Sequence, residues 1–581
     1  SGDMVAVKKY LDELEMDLAT VDTVIKTGNP MADAILNSKI KSSTQSGAYK
    51  IMLLFAFILH IGVFIYFMVK KPINIDEAMT VLNANSLAKS GTDILGEKLP
   101  IYFDTWLYGG QSPFATYLVA IMIKLFGYSL FVTRVPMFVF SMLGLVAFYK
   151  FLKEVIPENE TLINIAFCLA CISPWHLYSS AFTLDCNFLP HIAMFGMYFL
   201  AKGINSTKSK YFVFSMLFFG LGFYCYILSA IIIPVLLAVL FLILLIKKKV
   251  SFKNTIISVI TIFIVAIPFI LQGLVQFGII KNLNFLGFSI SKMPYYSRGS
   301  ELKLNNILEN LSEGIISLLF TDIYSFNAKG VNSFNFANSF GSVALLAGVI
   351  TLILNKIRKR NDFGIFLKAV IISTLVSSAT VCSLTFYATA LYRYNIYNYI
   401  FIIISAYGIY SVSKLFKKPR FKEVTSLLVA TSLIITTYCF AYYYKNDVIN
   451  TNTFYTSSIE ECLNYNKSNK NVTLVCVDEE TNINCGQITE RMIIDTLYHH
   501  INEKDFTDIE ALLYKAGYFN NNDFSNLPKF TKDNSIEFKN PKEKIIEDYV
   551  IVYSPQLKNL KYDKNQYEII DFGSFVVLNK K

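Results

Sequence analysis

Charge is scarce in this sequence. Only 17% of its 581 residues are Asp, Glu, Lys or Arg, where a soluble globular protein carries roughly 25%, and that excludes an ordinary cytosolic enzyme. Glycine and proline are few, at 27 and 15, which excludes a collagen-like or low-complexity fibre. Arginine is rare beside lysine. No signal peptide, internal repeat or Gly-rich phosphate loop is visible. The nine cysteines are expected to form no zinc or redox motif. What is abundant is apolar: 54% of the chain is hydrophobic, with 49 Phe and 36 Tyr, and mean hydropathy is +0.44. So aromatic a chain cannot remain solvated, and disorder is excluded. The formal charge of +10 calls for no nucleic acid, because Lys and Arg collect in the cytoplasmic loops of membrane proteins.

A helix that crosses a bilayer needs about 20 apolar residues. Such runs fall at 51–69, 131–151, 161–178, 187–202, 211–226, 228–246, 254–274, 340–355, 365–385, 395–413 and 424–443, which predicts about eleven spans. The segment at 113–127 is short, and it is read as an interfacial helix on the outer surface, with 76–90 as a second. Trp106 and Tyr108 between them suit a membrane interface. Three basic clusters set the orientation. They are Lys247–Lys249, then Lys356, Arg358, Lys359 and Arg360, then Lys414, Lys417, Lys418, Arg420 and Lys422. Placing all three inside makes the N-terminus cytoplasmic and puts 70–130, 275–339 and 444–581 outside. Lys70 and Lys71 violate the rule.

Three domains are expected: a polar, helix-prone cytoplasmic segment at 1–48, a transmembrane domain at 49–443, and an extracytoplasmic α/β domain at 444–581. Ser1-Gly2-Asp3 before Met4 reads as the remnant of a cleaved tag. In the C-terminal domain strands are expected at 472–477, 549–553 and 574–578, and helices at 487–501 and 508–517. A disulfide among Cys462, Cys476 and Cys485 is compatible with an outer location. The Lys, Asn and Ile bias suggests an AT-rich bacterial genome.

The residues able to carry chemistry lie at the outer ends of the spans. Asp76 and Glu77 stand adjacent at an apolar boundary. Partial desolvation there raises a carboxylate pKa and makes a usable general base. The same pair also suits the positive end of a helix dipole. Asp185 falls on the same face as Asp76. His176, in Ser173-Pro174-Trp175-His176, is a site candidate that reads more simply as an interfacial polar residue. Arg134, Arg298 and Arg393 lie outside, where a guanidinium fork holds phosphate as lysine cannot and where it also simply snorkels. Tyr296 accompanies Arg298 in the loop 275–339, and a loop of that length without structure is usually functional.

Together these residues resemble a family. An Asp-Glu pair in a long first outer loop, the Ser112-Pro113-Phe114 surface helix and Thr133-Arg134-Val135-Pro136 are similar to the GT-C integral-membrane glycosyltransferases. Ser173-Pro174-Trp175-His176, Asp185, Gly220-Leu221-Gly222-Phe223-Tyr224 and Leu391-Tyr392-Arg393-Tyr394-Asn395 extend the match over about residues 50–440. The resemblance is nearest the branch of protein O-mannosyltransferases and the lipid A aminoarabinose transferase. It implies a GT-C-like α-helical polytopic fold and an inverting transfer of sugar from a polyprenyl-phosphate donor to a glycan, lipid or protein acceptor. It makes Asp76 the general base, with Asp185 as the second acid. Two positions depart from the family: Gln111 stands where many members have a basic residue, and Ser180 where many have arginine. No cofactor is required; a divalent metal between Asp76 and Asp185 is compatible but not implied. A transporter or lipid flippase is the alternative, but those place ionisable groups at mid-membrane, and here they gather at one face. A scaffold presenting the C-terminal domain would leave the loop acids unexplained.

Overall fold

The computed structural model describes residues 75–103, 110–180, 183–293, 304–320, 339–357, 363–385, 395–416, 457–467, 470–478 and 536–581 almost continuously, with scattered residues at 54–73, 424–431 and 480–499. Trp106, Tyr108, Tyr296, Arg298, Arg393 and the expected helix 508–517 lie outside the described residues. The chain divides into a unit ending at Gly62 and a second from Val63 to Lys581. The described residues of the first, Leu54 to Gly62, are mostly helical. Everything below belongs to the second.

Helix α1 (Ile75–Ser90) opens the first loop. α2 (Pro113–Phe126) starts with proline at the first helical position and ends at Gly127, whose φ is 77°. Proline loses nothing there because that N–H has no intrahelical partner, and glycine alone enters the left-handed region freely. α3 (Leu130–Val155) is capped by the Ser129 hydroxyl, which accepts from the Val132 amide at 3.2 Å. Asn159 caps α4 (Glu160–Ile172) on Leu162 N at 3.1 Å. The short α5 (Pro174–Ser179) and the 22-residue α6 (Asp185–Ser206) follow. Next come α7 (Ser209–Leu221), α8 (Ser229–Ile246) and α9 (Phe252–Gln276). The break between α7 and α8, expected between the runs 211–226 and 228–246, opens with a 3₁₀ turn at Gly222–Tyr224. Pro234 sits inside α8.

Loop contacts settle which helix ends lie together. Lys153 near the end of α3 reaches Glu160 at 3.0 Å. Asn205 at the end of α6 reaches Glu154 at 2.8 Å, and Ser209 meets Asn254 at 2.8 Å. The lysines that join α8 to α9 are therefore at the same end as these groups. Asp76, Ser112, Thr183 and Asp185 occupy the other.

The segment read as an unstructured outer loop after α9 is partly ordered. It contains an antiparallel hairpin, β1 (Leu283–Phe285) and β2 (Phe288–Ile290), and a helix, α10 (Ile307–Phe320). Three more apolar helices follow among the described residues: α11 (Ser339–Ile357), α12 (Ile365–Leu384) and α13 (Asn398–Ser413). α11 and α13 cross backbone to backbone. A Cβ at Gly348 would stand 2.0 Å from the Ile404 carbonyl oxygen, and one at Gly408 2.1 Å from that of Ala344. Small residues at such crossings let membrane helices approach this closely.

Five described helices are long and apolar enough to cross a bilayer: Leu130–Val155, Ser229–Ile246, Phe252–Gln276, Ile365–Leu384 and Asn395–Ser413. Pro113–Phe126, Glu160–Ile172 and Ala344–Asn355 are apolar but shorter. The eleven spans read from hydropathy thus meet a length-and-composition standard at five.

The chain ends in a sheet beside α14 (Ser457–Tyr465). β3 (Val472–Val475), β4 (Ile536–Lys539), β5 (Tyr549–Tyr553), β6 (Tyr567–Asp571) and β7 (Phe575–Lys580) are ordered β4-β3-β5-β7-β6. The first three strands are parallel and the last two antiparallel. β4 and β6 were not read from the sequence: IEFK alternates apolar and polar over only four residues, and YEIID breaks its alternation at Ile569–Ile570. One face of the sheet packs on Val550, Val552, Leu560 and Leu578. The other shares a core with the first loop: Ala78, Met79, Val81 and Leu82 of α1 pack with Ile459, Leu474, Ile551 and Val577. Ala84 and Leu87 of α1 pack with Val119 and Ile123 of α2. The expectation that 76–90 lies on the membrane surface is therefore corrected. α1 is buried between the sheet and α2.

Cys462 and Cys476 in this region are buried free thiols. Desolvation pushes both well above the ordinary thiol range, which leaves them unreactive.

Candidate active site

The two adjacent acids at the start of α1 lie about 100° apart on the helix, one buried and the other exposed. Glu77 is fully buried. Its carboxylate receives the Arg134 fork, Nε to Oε1 at 2.8 Å and Nη2 to Oε2 at 2.7 Å. Arg134 is equally buried, and its Nη1 donates to the Met68 carbonyl at 2.8 Å. Glu77 Oε1 also accepts from the Thr183 amide at 3.1 Å, and the Thr183 hydroxyl donates to Thr133 O at 2.9 Å. One ion pair therefore ties the end of the first span, α1, the head of α3 and the segment before α6. A buried pair needs such extra bonds, because desolvation otherwise exceeds the Coulomb gain. Arg134 has its phosphate-binding fork occupied by protein.

Asp76 is exposed. Its carbonyl accepts from Thr80 Oγ1 at 3.0 Å and from Gln111 Nε2 at 3.3 Å, and Gln111 Nε2 also reaches Thr80 Oγ1 at 2.7 Å. Gln111 is held in turn by a two-way backbone bridge to Phe103, at 2.7 and 3.1 Å. The next residue, Ser112, donates its amide to Asp185 Oδ2 at 3.2 Å, while Asp185 Oδ1 accepts from Cys186 N at 2.7 Å. The Asp76 backbone and the Asp185 carboxylate thus meet adjacent residues, Gln111 and Ser112. Each acid stands in the first turn of its helix, where the dipole favours an anion. Aromatic contacts fix the frame: Phe114 of α2 meets Phe140 of α3 at 5.5 Å and Phe188 of α6 at 5.6 Å. Tyr117 donates to Pro100 O at 2.9 Å. Burial, and then the Asp93 charge, hold its phenol above the ordinary range, so it stays a neutral donor.

His176 is not at the interface. It is fully buried, with Nε2 3.0 Å from the Tyr399 hydroxyl, which also meets His191 Nδ1 at 3.1 Å. Beside it Trp175 Nε1 donates to Asn395 Oδ1 at 2.9 Å, and Asn395 Nδ2 to Asn187 Oδ1 at 3.2 Å. This network joins the head of α13 to the first turn of α6, two residues from Asp185. The sequence reading missed Thr183, Asn187, His191 and Tyr399. Asn187 stood within the quoted Asp185-Cys186-Asn187, but nothing in the sequence pairs it with Asn395, 208 positions away. One cysteine pair, Cys168 and Cys171, does stand in C-x-x-C spacing. Both are buried free thiols on α4. Among the described residues no group of three His, Cys, Asp or Glu side chains is arranged to hold a metal ion.

The family model of dolichyl-phosphate-mannose-protein mannosyltransferases matches residues 110–272, from Gly110 beside the site to the end of α9. A crystal structure of ArnT from Cupriavidus metallidurans bound to undecaprenyl phosphate is similar over 90% of this chain and 97% of its own, at 10% identity and a TM-score of 0.52. The chain has the GT-C fold. Archaeal oligosaccharyltransferase AglB from Archaeoglobus fulgidus, in complex with an inhibitory peptide and a dolichol-phosphate, aligns at 14% identity and a TM-score of 0.48, over 78% of this chain and 64% of its own. A second structure of the Archaeoglobus fulgidus oligosaccharyltransferase, with Zn and sulfate, aligns at 15% identity and 0.47, over 76% and 61%. The chain thus spans somewhat under two thirds of the length of these archaeal enzymes. No curated protein sequence matches it.

The buried pair yields a stability prediction. Arg134→Ala or Glu77→Ala leaves an unpaired charge and should cost about 3–5 kcal/mol, seen as a lower thermal unfolding midpoint in detergent. Asp76→Asn should melt with the parent. Equal midpoints for all three variants would remove the structural role assigned to the pair.

Proposed function

We propose that this protein is a GT-C glycosyltransferase that moves a sugar from a polyprenyl-phosphate donor to a glycan, lipid or protein acceptor on the outer face of the membrane. The observation that carries this reading is the meeting of Asp76, Gln111–Ser112 and Asp185 at one end of the bundle. Asp76 takes the proton of the acceptor hydroxyl or amine as that atom attacks the anomeric carbon. The glycosidic bond to the phosphate breaks on the opposite side, so the product is inverted and the polyprenyl phosphate departs with the bonding electrons. General-base help of this kind contributes about 10²–10⁴-fold. Asp185, held on the Ser112 amide, orients the acceptor across from Asp76. Glu77 positions Asp76 through the α1 backbone and takes no proton. In this arrangement the N-terminus is cytoplasmic, the bundle end bearing Asp76 faces out, and the C-terminal sheet covers it through α1. A transporter finds little support, since transporters place ionisable groups at mid-membrane and Ser229–Ile246, the most apolar of the long helices, carries none.

Arg393 and Arg298 hold the departing phosphate. Two residues beyond Arg393 in the chain, Asn395 is clamped between Trp175 and Asn187, which supports the choice of Arg393. Arg298 follows Met293, whose amide donates to Gln276 Oε1 at 2.9 Å.

Release of polyprenyl phosphate from a radiolabelled lipid-linked sugar measures the reaction. Asp76→Asn should abolish release with donor binding preserved; near-parental turnover would end the base assignment. A charge-assisted bond to phosphate is worth roughly 1.5–3 kcal/mol, so Arg393→Ala should weaken donor affinity about ten- to a hundred-fold. Arg393→Lys should recover part of it, because lysine lacks the planar fork. Parental affinity in both variants would place the phosphate elsewhere.

A further inference from the structure

The end of α9 does not stop at the bundle. Its 25 residues span roughly 37 Å at 1.5 Å per residue, more than the ~30 Å hydrocarbon core. One side of the helix is bare and apolar along its length: Phe252, Val259, Ile260, Phe263 and Ile264 are all exposed. Past the helix the chain goes on exposing apolar side chains, at Phe277, at Ile279 and at Leu286 at the tip of the β1–β2 hairpin, which is 83% exposed. Leu286 is also held at φ 52°, followed by Gly287 at φ 86°. A left-handed turn favours Asn, Asp or Gly, so a leucine there is costly to the fold and points to a use. Exposed Lys281 and Lys292 flank the two strands.

We propose that this hairpin is an interfacial anchor, with Leu286, Phe277 and Ile279 inserted below the phospholipid headgroups and Lys281 and Lys292 at the lipid phosphates. The occupant is the bilayer itself, because these exposed apolar residues follow directly in the chain from α9, a helix long and apolar enough to cross it. Amphipathic elements bind this way, with apolar groups at the acyl boundary and lysine at the anionic headgroups. The hairpin is also coupled to the site. Ser289 exchanges backbone bonds with the first loop, its amide donating to Leu99 O at 3.1 Å and its carbonyl accepting from Ile101 N at 3.0 Å. Glu97 Oε2 accepts from the Ser289 and Ser291 hydroxyls at 2.7 and 3.2 Å. Ile290 packs on Ile101 and Val275. Seating the hairpin therefore fixes the height of residues 97–103, whose last member is bridged to Gln111. This role for the loop rests on the proposed function; the seating itself does not.

Bromolipid quenching of the full-length protein in nanodiscs tests the seating without turnover. The chain has two tryptophans, so Leu286→Trp adds a third, and Ile569→Trp on β6, 46% exposed, adds one on the C-terminal sheet. The indole added at 286 should lose fluorescence with lipids brominated high on the acyl chain and resist aqueous iodide. The one added at 569 should do the reverse. An indole at 286 that iodide quenches as readily as the one at 569, with no loss to brominated lipid, would overturn the anchor. Transfer activity would then be unaffected as evidence for the enzyme.

Discussion

The buried pair of Glu77 and Arg134 is the constraint on which the rest of the site depends. Neither charge reaches water, so each must be satisfied inside the protein. Four segments supply that satisfaction: the Met68 carbonyl, α1, the head of α3 and the Thr183 amide. Once they meet, the residues beside them have little freedom. Asp76 is turned outward because Glu77 is turned inward. Asp185 is two residues past Thr183, so it arrives beside Ser112. Of the acids proposed for chemistry Asp76 is exposed and Asp185 half-buried, where the one that holds the fold is fully buried.

A second set of constraints closes the site from the other elements. α1 is gripped by the C-terminal sheet on one side and by α2 on the other, so the sheet is part of the site's scaffold and more than an appendage. The amides of Asn187 and Asn395 link α13 to α6. The hairpin after α9 holds residues 97–103. Elements from the whole length of the chain thus converge at one end of the bundle, which is where a lipid-linked donor would present its headgroup.

Much of this was legible in the sequence. Hydropathy located the helices at 131–151, 228–246, 254–274 and 365–385, because a spanning helix is a long run with one composition. The strands at 472–477 and 549–553 stood out as short β-branched runs. Asp76 and Asp185 were visible as acids at apolar boundaries. What the sequence hid were pairings across distance. Arg134 and Glu77 are 57 positions apart, and an arginine that holds a protein carboxylate looks the same in sequence as one that awaits a phosphate. His176 looked interfacial because its neighbours are aromatic, whereas Tyr399 and His191 draw it inside. The 76–90 helix looked superficial because the sheet that buries it is formed nearly 400 residues later. The hairpin escaped because its strands, three residues each, are too short to declare a period.

A structure determined with polyprenyl phosphate bound tests the central claim most directly, that the Glu77–Arg134 pair is architecture and the neighbouring face is the reaction site. The predicted result is an unbroken Glu77–Arg134 fork, with the phosphate on other arginines at the Asp76–Asp185 end. A phosphate seated on Arg134 with Glu77 displaced, or bound at the Lys247–Lys249 end, would contradict it.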